Sequence, residues 1–303
     1  MTTSPEPNPA MIGGVPSAPL VFLPKPAKLF SDRAARLEVL AKDHPAAPFL
    51  TFMAALARLQ ARLVQDLPPV DPVPADRADL ARASRMPPID RNPLAEDAAL
   101  HGVLDAVLTA AADLDMPEAA RLALSAVTAA GREDRVWLLM NALSGDIPED
   151  SIAPHMFAVA ATQVHLARLA ATLDAVKLVP IRTGICPGCG GRPATSMVTG
   201  APGLENVRYA HCAHCAMQWN EVRVKCLCCG SNAAISYRSA GDEDAVIKAE
   251  VCSDCDRWVK ILYQSRNPSL DAVADDLGSL GLDLMMKDTR FRRGGANPYL
   301  AGY

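Results

Sequence analysis

Eight cysteines constrain this chain more than any other feature. Cys186, Cys189, Cys212 and Cys215 make two C-x2-C pairs separated by 22 residues, and Cys226, Cys229, Cys252 and Cys255 repeat that set 40 positions further on. Two cysteines with two residues between them can turn both sulfurs toward one point. Two such knuckles complete a tetrahedral tetrathiolate site for zinc or iron. Eight of the nine cysteines fit the pattern, so the spacing predicts two metal sites before it predicts a fold. The matched gaps favour one site per set; interleaved pairing of the knuckles is the alternative.

Disulfides are the competing use of paired cysteines, and they belong mainly to small secreted domains. Met1 to Pro19 is rich in proline and polar residues and lacks the charged start and apolar run of an export signal, so it is expected to be a disordered tail. No stretch supplies the roughly 18 unbroken apolar residues of a membrane span. A reducing, cytoplasmic setting is therefore expected, with metal rather than disulfides on the thiols.

Half of the residues are hydrophobic and only 5% aromatic, which predicts a sizeable aliphatic core, and 303 residues leave room for two domains. The formal charge is −4 with thiols neutral. Each tetrathiolate holding a divalent ion adds two negative charges, bringing the loaded protein to about −8. Between Ile181 and Arg266, ten Lys and Arg face eight Asp and Glu. That small excess disappears once both sites are loaded, so no nucleic-acid partner is expected.

Along the chain, residues 1–30 read as a disordered or extended tail and 31–180 as an all-α domain. Phe49, Phe52, Met53, Leu56, Leu59 and Leu63 make a helical stripe after a break at His44-Pro45. Prolines at 68, 69, 72, 74, 87 and 88 predict an extended connector over 68–93. Asn92-Pro93 is then read as a helix start, with the asparagine as cap. Further helices are expected near Pro117 to Ala130, Arg132 to Leu143 and Pro154 to Val176. From Val179-Pro180 onward, short β-type runs alternate with glycine and cysteine: Ala194 to Val198, Val207 to Ala210, Gln218 to Val224, Ala233 to Tyr237, Ala245 to Val251 and Trp258 to Tyr263. The expected fold is thus α plus small β: a helical N-terminal domain, tetracysteine modules of zinc-ribbon type over 181–225 and 226–266, and one closing helix within 267–303. Strands this short need metal for much of their stability.

Gly190 and Gly230 follow the second cysteine of their knuckles, where a positive φ lets backbone N–H groups approach the sulfurs. Trp219 and Trp258 follow the return knuckles and are expected to cover the sulfurs or to serve as ordinary core anchors. His211 and His214 could replace a sulfur ligand, but four cysteines per set make neither necessary. Cys228 is left over beside Cys229: a reactive thiol, an alternative ligand or an inert neighbour. Arg182, Arg192, Arg208 and Arg223 could touch a partner, solvation being the default. No phosphate loop, G-x-S-x-G or H-E-x-x-H motif occurs, and four sulfurs leave no open coordination position, so no catalytic residue or enzyme activity is expected.

The segments Cys186-Pro-Gly-Cys-Gly, Arg208-Tyr209-Ala-His211-Cys212-Ala-His-Cys215 with Trp219, Arg223-Val224-Lys225-Cys226 and Glu250-Val251-Cys252-x-x-Cys255 resemble the FdhE family of formate dehydrogenase accessory proteins. Ala274-Asp275-Asp276-Leu277 and Asn297-Pro298-Tyr299-Leu300 extend the likeness. The resemblance implies a cytoplasmic accessory protein that acts on the catalytic subunit of formate dehydrogenase during maturation. It also implies rubredoxin-like iron held by the eight paired cysteines, with zinc as the other candidate, and a homodimer in some members. The resemblance assigns no role to Cys228. An iron redox protein passing electrons during maturation is the alternative function.

Overall fold

The computed structural model describes residues 18–241 and 244–301. Most of the expected N-terminal tail, residues 1–17, lies outside the described residues. The remainder of that stretch is regular: β1 (Val21–Phe22) joins the sheet and α1 begins at Pro26.

Seven helices build the N-terminal half: α1 (Pro26–Leu40), α2 (Ala47–Asp66), α3 (Ala75–Ser84), α4 (Ala98–Ala111), α5 (Glu118–Ala129), α6 (Arg132–Ser144) and α7 (Ile152–Ala171). Phe52, Met53, Leu56, Leu59 and Leu63 are buried along α2, the stripe that three- and four-residue spacing creates. Helix α7 is buried on nearly all sides, because α1, α2, α4, α5 and α6 all pack against it. Its small residues, among them Ala158, Ala160, Ala161 and Ala167, let those helices approach closely.

Three local expectations are corrected. The proline-rich connector contains α3, since its prolines cluster at 68–74 and 87–88 and leave twelve proline-free residues between them. Arg85, in the left-handed conformation at φ 51°, ends that helix. Asn92 does not cap an α-helix: residues Asn92–Glu96 form a short 3-10 turn, and Asp97 caps α4 by accepting from the Ala99 N–H at 2.7 Å. The single closing helix is two pieces, α8 (Ala274–Leu277) and α9 (Leu280–Lys287), interrupted at Gly278, where Leu40 leaves no comfortable room for a Cβ.

The β-type runs of the two tandem cysteine modules are continuous with each other. They join one sheet in the order β1-β4-β3-β2-β7-β6-β5, with β2 (Pro193–Val198), β3 (Arg208–Cys212), β4 (Gln218–Glu221), β5 (Ile235–Arg238), β6 (Ile247–Cys252) and β7 (Arg257–Tyr263). Each half is an antiparallel meander. A parallel seam between β2 and β7, pairing Ser196 with Ile261 and Val198 with Tyr263, joins them. The N-terminus pairs Val21 with Trp219, and the short β8 (Arg292–Arg293) pairs with β7, so both ends of the described chain close on the same sheet.

Candidate metal centre

The four C-x2-C knuckles share one backbone device. The residue after each second cysteine lies in the left-handed region: Gly190 at φ 71°, Ala216 at 59°, Gly230 at 85° and Asp256 at 50°. In the leading knuckles, the Gly190 N–H donates to the Cys186 carbonyl at 2.9 Å and the Gly230 N–H to the Cys226 carbonyl at 3.0 Å. The glycines announce this turn in the sequence. Ala216 and Asp256 adopt it with a Cβ, which is why the return knuckles escape a glycine-based reading.

The sulfurs gather in two unmixed quartets. Cys186, Cys189, Cys212 and Cys215 form one, and Cys226, Cys229, Cys252 and Cys255 the other, with the sulfurs of each quartet all within 4.8 Å of one another. Across knuckles, Cys186 lies 3.6 Å from Cys215, Cys189 3.5 Å from Cys212, and Cys226 and Cys229 each 3.7 Å from Cys255 and Cys252 respectively. A disulfide would need about 2.0 Å. A tetrahedron with metal–sulfur bonds of about 2.3 Å has edges of about 3.8 Å, so the sulfur spacing fits one four-coordinate ion per quartet.

The quartets differ in setting. All four cysteines of the first are buried in the main core. The helical half reaches this site directly: the Ile89 N–H donates to the Gly188 carbonyl at 3.0 Å and Gln163 Nε2 to the Ala213 carbonyl at 3.0 Å. Gly191 is obligatory there, because a Cβ would sit 2.6 Å from the His214 ring and 3.0 Å from Cys212 Sγ. The second quartet lies at the rim, with Cys226 and Cys252 buried, Cys255 half-buried and Cys229 exposed. Gly184 ties it to the first: at φ 69° its Cα hydrogen faces the Leu227 carbonyl, where a Cβ would fall 1.8 Å from the oxygen.

Sulfur electrostatics suit a cation. Burial pushes the Cys186 and Cys215 thiols well up; Cys212, despite its own burial, is held well below the ordinary thiol range by hydrogen bonds from Cys186, Cys189 and Cys215. A divalent ion takes its sulfurs as thiolates, so metal uptake by the raised Cys186 and Cys215 thiols releases protons.

The remaining candidates fall outside the quartets. His214 packs beside Gly145 and Gly191, and His211 lines a cavity of about 820 Å³ between α1 and the sheet. Burial lowers both imidazoles to about 4, so they stay neutral. Trp219 shares the core with the first quartet and donates from Nε1 to Glu221 at 3.1 Å. Trp258 instead anchors a separate small core with Leu282, Met286 and Phe291. Arg208 is no surface arginine: it is buried, 2.7 Å from Glu250 of β6, and donates to Ser196 Oγ of β2 at 2.9 Å. That pair fastens one half of the sheet to the other. Asp275 and Asp276 are likewise internal, Asp275 bridging to Arg36 of α1 and Asp276 to Lys260 and Arg293.

Three family models match the chain end to end: FdhE, N-terminal, over residues 18–183; FdhE, central domain, over 185–223; and FdhE, C-terminal domain, over 224–300. Protein FdhE homolog of Rhizobium meliloti (strain 1021) is 52% identical over 306 residues, covering 100% of both chains. The chain belongs to the FdhE family. Protein FdhE of Escherichia coli (strain K12) is 34% identical over 284 residues, 93% of this chain and 91% of the relative. The crystal structure of the FdhE protein from Pseudomonas aeruginosa matches with a TM-score of 0.84 at 31% identity, covering 94% of this chain and 99% of that one. The FdhE central model holds the first quartet and the C-terminal model the second.

Proposed function

We propose that this chain is an accessory protein for formate dehydrogenase: a non-catalytic, cytoplasmic protein that binds the enzyme's catalytic subunit during maturation. Membership of the FdhE family motivates the client. The observation that carries a binding role is the architecture: two closed cysteine quartets fastened through one sheet to a large helical half, with no open coordination position. Cys186, Cys189, Cys212 and Cys215 would hold one ion and Cys226, Cys229, Cys252 and Cys255 the other, as thiolates. When bound, each ion supplies a cross-link between two knuckles and, if it is iron rather than zinc, a one-electron couple. Among the described residues no helix is long and apolar enough to cross a membrane, in keeping with a client met before membrane assembly.

A deletion strain tests the reading. Loss of formate oxidation with the dehydrogenase polypeptide still present, together with co-purification of the catalytic subunit on the tagged chain, is the expected result. Undiminished formate oxidation under every growth mode removes it. The exposed position of Cys229 favours a second role, electron exchange at the rim quartet. Anaerobically purified protein with a thiolate-to-iron absorption that bleaches on reduction would support that role; colourless protein carrying two zinc ions would end it.

A further inference from the structure

Two features set the rim quartet apart, the second by its charge: Cys212 of the core quartet also lines a cavity, but one whose wall carries Asp32 and Asp271 beside its basic residues. The first is Cys228, a fifth thiol, half-buried between the knuckle cysteines Cys226 and Cys229. Its backbone N–H donates to the Cys226 sulfur at 3.3 Å, and Gly294 closes over its Sγ so tightly that a Cβ there would sit 2.3 Å away. The second is a cavity of about 420 Å³ whose wall includes Cys228 and Cys229 together with Arg182, Arg192 and Arg257. No carboxylate lines it. Arg192 has a distant ion pair with Asp146 at 3.9 Å. In a chain of net charge −4, three guanidinium groups around one cavity are a local inversion of sign.

We propose that the rim quartet is an exchangeable metal site, with Cys228 as the incoming fifth thiol and the arginine-lined cavity as the entry for an anionic metal acceptor. This rests on the reading of the quartets as metal sites. Cys228 and Cys229 stand on the same cavity wall, so a sulfur arriving there meets Cys229 as the ligand open to the acceptor. Among the four ligands Cys226 and Cys252 are buried, Cys255 is half-buried and Cys229 is exposed. Cys229 is therefore the ligand that leaves. In the exchange a metal–sulfur bond to Cys228 forms as its proton departs, the bond to Cys229 breaks, and Cys229 takes up one proton. The metal keeps its oxidation state. With Cys229 free, an acceptor carrying carboxylates or thiolates can reach the ion from the cavity, its charge offset by the three arginines. The core quartet has neither a fifth thiol nor an exposed sulfur, so its ion stays structural.

Full-length protein loaded with two equivalents of cobalt(II) reports each tetrathiolate by its sulfur-to-metal absorption. Challenge with excess EDTA should remove half of that absorption at least tenfold faster than the other half, and Cys252→Ser should abolish the fast half. Cys228→Ser and Cys228→Ala should each slow the fast phase at least fivefold and leave the slow phase alone. Arg257→Glu should slow release to anionic EDTA several-fold and leave release to neutral phenanthroline unchanged. Loss in one phase, or wild-type rates in both Cys228 variants, overturns the exchange. Equal slowing of Arg257→Glu with both chelators overturns the entry route and makes the arginines screens for the thiolates. Binding of fewer than two equivalents overturns the inference together with the metal reading; two equivalents released together overturn the inference alone.

Discussion

Arg208 and Glu250 allow the junction between the two halves of the sheet to be tested separately from the metals. Both side chains are buried, at 0% and 3% exposure. Glu250 receives Arg208 Nη2 on one carboxylate oxygen at 2.7 Å and the Tyr237 hydroxyl on the other at 3.3 Å. Arg208 also donates to Ser196 Oγ and, at 2.9 Å, to the Lys225 carbonyl. Burial pushes the Glu250 carboxyl up, and the adjacent Arg208 charge pulls it only part of the way back. Desolvation therefore outweighs attraction, and the pair specifies the junction more than it stabilises it. Glu250→Ala strands a buried cation and should cost about 3–5 kcal/mol. The double variant Arg208→Met, Glu250→Leu removes both charges and should recover most of that loss. Urea unfolding of metal-loaded parent, Arg208→Met, Glu250→Leu and the double variant, followed by tryptophan fluorescence, gives the four corners of the cycle, with Glu250→Ala measured beside them. A Glu250→Ala variant within about 1 kcal/mol of the parent, or a double variant less stable than either single, would refute the reasoning.

Gly191→Ala should weaken metal binding at the core quartet, since its methyl group meets His214 and Cys212, whereas Gly131→Ala, with open space around it, should leave metal titrations unchanged. Ala216→Gly should stabilise the protein by about 0.5–1 kcal/mol in urea titrations, by relieving the left-handed strain at φ 59° in a return knuckle. His165, buried in α7, has its imidazole pKa lowered by that burial. Its folded pKa lies below the unfolded value near 6.5, so the unfolded chain binds more protons between the two and stability falls as pH drops through that window. A melting-temperature series from pH 7.5 to 4.5 should show His165→Gln losing less than the parent on the acid side; parallel curves would exclude this group as a cause.

The cysteine quartets are legible without coordinates because a C-x2-C knuckle is a local object: two residues fix its reach, and the repeat at 40 positions suggests which knuckles meet. Helices α2, α5, α6 and α7 are legible for a similar reason, since their apolar spacing follows the helical period. Local signals misled where two short-range rules competed. Flanking prolines hid α3, and Asp97 capped the helix that Asn92-Pro93 appeared to open. Arg208, Asp275 and Asp276 look like surface charges in the sequence, because their partners Glu250, Arg36 and Lys260 are remote along the chain.

From the sequence by itself came the number of cysteine quartets, their eight sulfurs and the helical character of the first half, all properties set within a few turns of chain. Only the tertiary structure decided that the two cysteine modules share one sheet, that the first quartet is sealed in the core, and that the second is left at the rim beside Cys228. Those outcomes depend on the parallel seam between β2 and β7 and on burial against α7. Such pairings join residues dozens of positions apart, and no local spacing rule encodes them.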